Sequence, residues 1–99
     1  MSRFHLYAGS EEGEYLLDLQ TDFLSHYNTR IVAPVVAETA FDGAATELNP
    51  VIDVGGVAHV VLTHFLSAVP AQALTVPLGD FAAEGDRFTR ALDLLFQGY

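Results

Sequence analysis

Phe88-Thr89-Arg90-Ala91-Leu92-Asp93-Leu94-Leu95-Phe96-Gln97-Gly98-Tyr99 closes the chain and decides how the rest is read. Phe88, Ala91, Leu92, Leu95 and Phe96 recur at the three- and four-residue steps of one α-helical face. Thr89, Arg90 and Asp93 fall on the other side, so the spacing predicts a helix half-buried on a sheet. Gly98 stands where a helix ends on a residue that tolerates positive φ. Chain termini usually fray into polar residues; here apolar and aromatic character runs on to Tyr99. Two readings are open. Tyr99 folds back onto its own domain, or the helix end and tail form a contact surface for another protein.

Upstream, Val51-Ile52-Asp53-Val54, then Gly55-Gly56, then Val57-Ala58-His59-Val60-Val61-Leu62-Thr63 carry the clearest hairpin signal. A two-residue turn sets Val54 against Val57 and Ile52 against His59, with Asp53 on the face opposite His59. Arg3-Phe4-His5-Leu6-Tyr7 alternates as a strand, Phe4 and Leu6 sharing a face. Residues 15–20 return as a second strand. Asp18, Thr21 and Asp22 suit an Asx- or hydroxyl-stabilised bend, which leaves Phe23 and Leu24 beside it at the surface. After a turn at His26-Tyr27-Asn28, residues 29–36 read as a mostly buried, β-branched strand. Pro34 cannot donate to a ladder and predicts an edge or a bulge there, as Pro70 and Pro77 do for a strand over 68–78. Residues 38–49 read as a helical turn or an irregular lobe, and 79–85 as loop or a first helical turn. The expected fold is mainly β with one C-terminal helix: antiparallel strands in a small barrel-like sheet, one domain over residues 1–99.

The totals narrow the function. Of 99 residues 51% are hydrophobic, more than so small a domain can hide, so an apolar surface patch and a homodimer are expected. No apolar run reaches the roughly eighteen residues of a membrane span. The opening Met-Ser-Arg-Phe-His-Leu is too short and broken for a signal peptide, and the absence of cysteine fits a reducing cytoplasm. Four arginines, no lysine and 13 acids give a net charge of −9. Nucleic-acid binding rests on cations that neutralise phosphates, so direct contact with DNA or RNA is not expected. Glu11, Glu12 and Glu14 crowd one loop, which should be solvated by mutual repulsion.

The search for chemistry returns little. His59 and His64, five apart on or after a strand, point to opposite faces, and no zinc-ligand spacing exists among His5, His26, His59 and His64. The serines sit in loops without a nucleophile elbow. Asp18 and Asp22 could pair for acid–base work, but turn chemistry accounts for both. No enzyme, metal or cofactor is expected.

Several stretches resemble, in order, the CcdB family of toxin–antitoxin toxins. Phe4-His5-Leu6-Tyr7 resembles its opening strand, and Asp18-Leu19-Gln20-Thr21-Asp22 its Asp-Val-Gln-Ser-Asp segment. Thr29-Arg30-Ile31-Val32-Ala33-Pro34-Val35 is similar to its Arg-x-Val-x-Pro-Leu strand. Leu48-Asn49-Pro50-Val51-Ile52 matches a Leu-x-Pro-Val-Val run, and Ser67-Ala68-Val69-Pro70 an Ala-Ser-Val-Pro run. Leu94-Leu95-Phe96-Gln97-Gly98-Tyr99 resembles the closing Leu-Met-Phe-Trp-Gly-Ile.

The resemblance implies a homodimeric SH3-like barrel of the CcdB–MazF type that acts without catalysis. Toxins of this family insert their helix tips into the A subunit of DNA gyrase and trap the cleaved DNA complex. A CcdA-like antitoxin neutralises them and with them represses the operon. Carried over by position, the gyrase contacts are Phe23, Leu24, Asp93, Phe96, Gln97, Gly98 and Tyr99. The antitoxin contacts are expected in the acidic loop, at Gly9, Ser10, Glu11, Glu12, Gly13 and Glu14, and in the lobe after Glu38, at Phe41 and Asp42. Gln97 stands where the family has Trp, Tyr99 where it has Ile, and Asp93 where it has Asn. Losing a tryptophan anchor costs roughly 2 kcal/mol, a thirtyfold loss of affinity. Two alternatives follow: a dimeric module that binds antitoxin without killing, and a MazF-like endoribonuclease, which the scarcity of cations disfavours.

Overall fold

The computed structural model describes residues 2–99. Within them, seven short strands form one antiparallel sheet: β1 (His5–Ala8), β2 (Tyr15–Asp18), β3 (Thr29–Ala37), β4 (Val51–Val54), β5 (Val57–Val61), β6 (Ser67–Pro70) and β7 (Gly79–Asp80). The order is β4-β5-β3-β2-β1-β7, with β6 pairing β3. The sheet curls into a half-barrel, and helix α1 (Gly85–Gln97) packs against it.

The hairpin forms in the expected register, Ile52 opposite His59 and Val54 opposite Val57. Gly55 and Gly56 both have positive φ, 61° and 86°, the backbone that matches the right-handed twist of the flanking strands. Asp53 Oδ1 accepts a hydrogen bond from the Gly56 N–H at 2.7 Å and closes the turn. Replacing Gly56 with Ala forces a Cβ into left-handed space, so stability should fall by about 1–2 kcal/mol. Urea unfolding should show a lower midpoint at unchanged slope.

Period-two alternation gives the sheet two apolar faces. Leu6 and Leu17 pair across β1 and β2, and so do Tyr7 and Leu16 one residue along, on the opposite face. The larger core gathers Phe4, Leu6, Leu17, Leu19, Ala33, Val35, Ile52, Val61 and Phe88. Here α1 lays Phe88 against Phe4, ring centroids 5.2 Å apart. Phe4 holds a φ of 69°, rare for a bulky residue. Its N–H donates to Asp18 O, its carbonyl accepts from Phe81 N–H, and its ring is buried. The smaller core lies on the second face, where Tyr7 and Val32 meet Leu74 from the segment after β6, with Leu16 and Val69 beside them.

Three expectations are corrected. Pro34 lies neither on an edge nor in a bulge but in β3, flanked by β2 on one side and by β6 and β5 on the other. Its carbonyl accepts from Leu62 N–H, so the missing N–H faces the side where the partner of β3 changes. Along β3 the pairing with β6 stops at Val32, opposite Ser67, and the pairing with β5 starts at Val35, opposite Val61. The proline fills the fork, where no donor is needed. Residues 68–78 do not form one strand: β6 stops at Pro70, a 3₁₀ turn covers Ala71–Ala73, and Leu74 folds onto the second face. Phe96 is not on the buried helix face; it is 70% exposed, while Phe88 and Ala91 are buried and Leu92 partly so.

Candidate functional site

Helix α1 ends on Gly98 in the left-handed conformation, φ 83°. The Gly98 N–H reaches back to the carbonyls of Asp93 and Leu94 at 3.2 and 3.0 Å. This cap ties down orphan carbonyls of the last turn and holds the tip firm. Beyond the buried Phe88 and Ala91, the tip turns outward. Gln97 and Gly98 are exposed, and Tyr99 is 84% exposed. Of the two readings of the tail, the one that folds Tyr99 beneath its own sheet is excluded.

Tyr99 borders a groove of about 420 Å³ with Asp93 and Leu94 on α1 and Thr46, Glu47 and Pro50 from the lobe. Arg87 and Arg90 complete its wall. Arg87 is engaged, pairing with Glu84 and donating to Val51 O at 2.8 Å. Arg90 has no ion pair among the described residues. Sequence reasoning missed the share of the lobe in this groove. Arg90 lies three residues before Asp93 on the polar helix side and could have been found; Glu47 joins through a tertiary contact with no local signal.

Phe23 and Leu24 sit on a different element, a 3₁₀ turn at Asp22–Leu24, and are 88% and 37% exposed. They do not line the groove of Tyr99. The expected bend chemistry is present: Thr21 Oγ1 accepts from Phe23 N–H at 3.4 Å, and Asp18 Oδ1 from Gln20 N–H at 3.1 Å. It is not the whole account of the acids. Asp18 is fully buried against fully buried Arg30, whose Nε and Nη2 donate to its Oδ2 at 2.9 and 2.7 Å. Arg30 Nη2 also donates to Gln20 O at 3.1 Å and lies 3.7 Å from Asp22 Oδ1. Asp22 Oδ1 in turn accepts from Arg3 N–H at 2.8 Å. The guanidinium thus welds the bend to the sheet and sets where Phe23 and Leu24 project. Burial pushes the Asp18 carboxyl above its usual range, against the hydrogen bonds from Arg30 and Gln20. Burial, with the Asp18 charge, likewise raises the Tyr7 hydroxyl.

The loop of Gly9, Ser10, Glu11, Glu12, Gly13 and Glu14 joins β1 to β2 and is closed by Gly9 N–H to Glu14 O at 2.8 Å. Glu11 and Glu12 are exposed. Tyr15 pairs with Val35, so this loop leaves the sheet at the same end as the chain entering the lobe after Ala37. In the lobe, residues 38–49 form one 3₁₀ turn, Glu38–Ala40, and are otherwise irregular. Asp42 is exposed. Phe41 is half-buried, its ring 6.1 Å from His64 and 6.5 Å from Phe65. His59, by contrast, is buried, its Nδ1 2.9 Å from Val57 O and its ring edge-on to Tyr15.

A rigid tip, exposed aromatics and a groove without a buried titratable centre can grip another protein. Comparison with known families identifies the lineage: the family model described as CcdB protein matches residues 3–98. The chain belongs to the CcdB family. CcdB membership makes it the toxin of a toxin–antitoxin pair, and the half-barrel with one C-terminal helix is the architecture that the family resemblance implies. A search of curated proteins found no match to the chain. No helix among the described residues is long and apolar enough to cross a membrane.

Proposed function

We propose that this CcdB-family chain is a gyrase-directed toxin of the cytoplasm that works as a homodimer and without catalysis. Its helix tip, Asp93, Phe96, Gln97, Gly98 and Tyr99, with Phe23 and Leu24 on the bend after β2, binds the A subunit of DNA gyrase and traps the cleaved DNA complex. A CcdA-like antitoxin neutralises it, meeting the acidic loop from Gly9 to Glu14 and the lobe at Phe41 and Asp42, and represses the shared operon with it. The observation that carries the reading is the tip itself: Phe96 and Tyr99 are 70% and 84% exposed on a capped helix. Large aromatics held in solvent on a rigid support suit insertion into a partner's pocket, where such residues dominate binding.

Purified protein incubated with the host's gyrase and supercoiled plasmid should yield linear DNA. Saturating toxin that leaves the plasmid intact rejects gyrase poisoning; antitoxin binding without growth arrest would then favour the non-killing module. At −9, the chain should bind an antitoxin segment carrying Lys or Arg, and the affinity should fall as salt screens the exposed acids. Titration calorimetry at several ionic strengths checks this, and an affinity that ignores salt rejects the acidic loop as a contact.

A further inference from the structure

Asn49 is almost fully buried, 2% exposed, at the point where the lobe returns to the sheet. Its N–H donates to Ala45 O at 2.7 Å, and Ala45 N–H donates to its Oδ1 at 3.0 Å. Its Nδ2 lies 3.2 Å from Val61 O and 3.2 Å from His64 Nδ1. A backbone N–H only donates and a backbone carbonyl only accepts. Oδ1 must therefore face Ala45 and Nδ2 must face Val61, which fixes the amide. Both Nδ2 hydrogens are then committed, one to Val61 O and one to His64 Nδ1, so Nδ1 must carry a lone pair and the imidazole proton sits on Nε2.

We infer that Asn49 and neutral His64 form a clamp that positions the lobe over residues 41–48, and that a proton on His64 Nδ1 opens it. Protonation replaces the acceptor with a second donor, and two donors cannot pair. The same imidazole lies tilted against Phe65, ring centroids 4.3 Å apart, and approaches Phe41, so the clamp also sets the aromatic side of the lobe. The 3₁₀ turn carrying His64, Thr63–Phe65, packs on β3 and α1. The charged group of β3 is Arg30, already bound to Asp18. α1 carries Asp86, Arg87, Arg90 and Asp93, and the lobe adds Glu38, Asp42 and Glu47. None of these carboxylates is at ion-pair distance from His64. Among the described residues, no carboxylate stands ready to hold the imidazolium in place of Asn49.

That the lobe meets the antitoxin rests on the proposed function; the clamp is testable without it. Nitrogen NMR of the His64 ring near neutral pH should show the Nε2-protonated tautomer. As His64 takes its proton, the protection of the Ala45 and Asn49 amides, corrected for intrinsic exchange, should drop about three- to tenfold. His64→Gln offers a carbonyl oxygen that accepts but does not titrate, so protection should stay high and the step vanish. Asn49→Asp, if it folds, should reverse the step, because its carboxylate accepts from the imidazolium. An Nδ1-protonated tautomer in the wild type, or a step that survives in His64→Gln, overturns the clamp. Antitoxin affinity should follow the same step in the wild type and lose it in His64→Gln. A clamp that titrates while antitoxin affinity stays flat overturns the assignment of the lobe to the antitoxin and leaves the clamp standing.

Discussion

Replacing Asp18 with Ala is expected to destabilise the protein by about 3–5 kcal/mol, because Arg30 loses its buried counter-charge and keeps only the exposed Asp22 carboxylate, 3.7 Å away. Arg30 is fully buried, and its Nη1 already lacks a hydrogen-bond partner. Removing the carboxylate strips Nε and Nη2 of their closest acceptor and leaves Gln20 O as the remaining one. A loss of this size is a large part of the total stability of a small domain, so the variant should unfold at much lower urea. The paired replacement Asp18→Leu with Arg30→Met should be near neutral or stabilising, since an ion pair taken out of water returns little over apolar packing.

The direction of the Asp18 shift agrees with that expectation. A carboxyl raised in the folded state holds its proton more tightly there than in the unfolded chain. Its contribution to stability is therefore full below the ordinary carboxylate range and is lost as pH rises through the raised value. Measured against the double variant, the wild type should lose ground over that rise. If Asp18→Ala costs under about 1 kcal/mol, Arg30 is reaching water and the weld between bend and sheet is not as described. The double variant has a second use: if it folds but shifts gyrase affinity, the pair acts by aiming Phe23 and Leu24.

Deleting residues 97–99 should abolish gyrase-dependent DNA cleavage while leaving the fold in place. The three residues are exposed, so the deletion removes little buried surface; the main structural loss is the Gly98 cap on the last turn of α1. Tyr99→Ala alone should weaken gyrase binding roughly thirtyfold, about 2 kcal/mol, if the ring anchors the interface. The cleavage assay reads the first variant, and a competition titration with a fragment of the gyrase target reads the second. A truncated protein that still linearises plasmid at wild-type concentrations would remove the tip from the mechanism. Restoring the aromatic anchor by Gln97→Trp should tighten binding by a similar factor, and no gain would mean that this position faces solvent in the complex.

Much of this molecule is legible residue by residue, because the forces involved are local. Two glycines at the only backbone suited to a tight turn set the hairpin register, and alternation then assigns Ile52 and His59 to one face. Three- and four-residue spacing and Gly98 define α1 and its end, and Thr21 and Asp18 announce the bend. The apolar tail and the acidic composition also stand in the sequence. Other features depend on which distant segments meet, and no local pattern encodes that choice. Arg30 lies in a strand read as mostly buried, but nothing local names its partner until β2 brings Asp18 against it. Pro34 reads as a strand edge until β3 exchanges β6 for β5 at that residue. Phe96 fits the apolar helical stripe, yet its ring is left in solvent while Phe88 and Ala91 are covered. Periodicity states which residues prefer to be covered; only the packed structure, with finite surface to cover them, decides which are left for a partner.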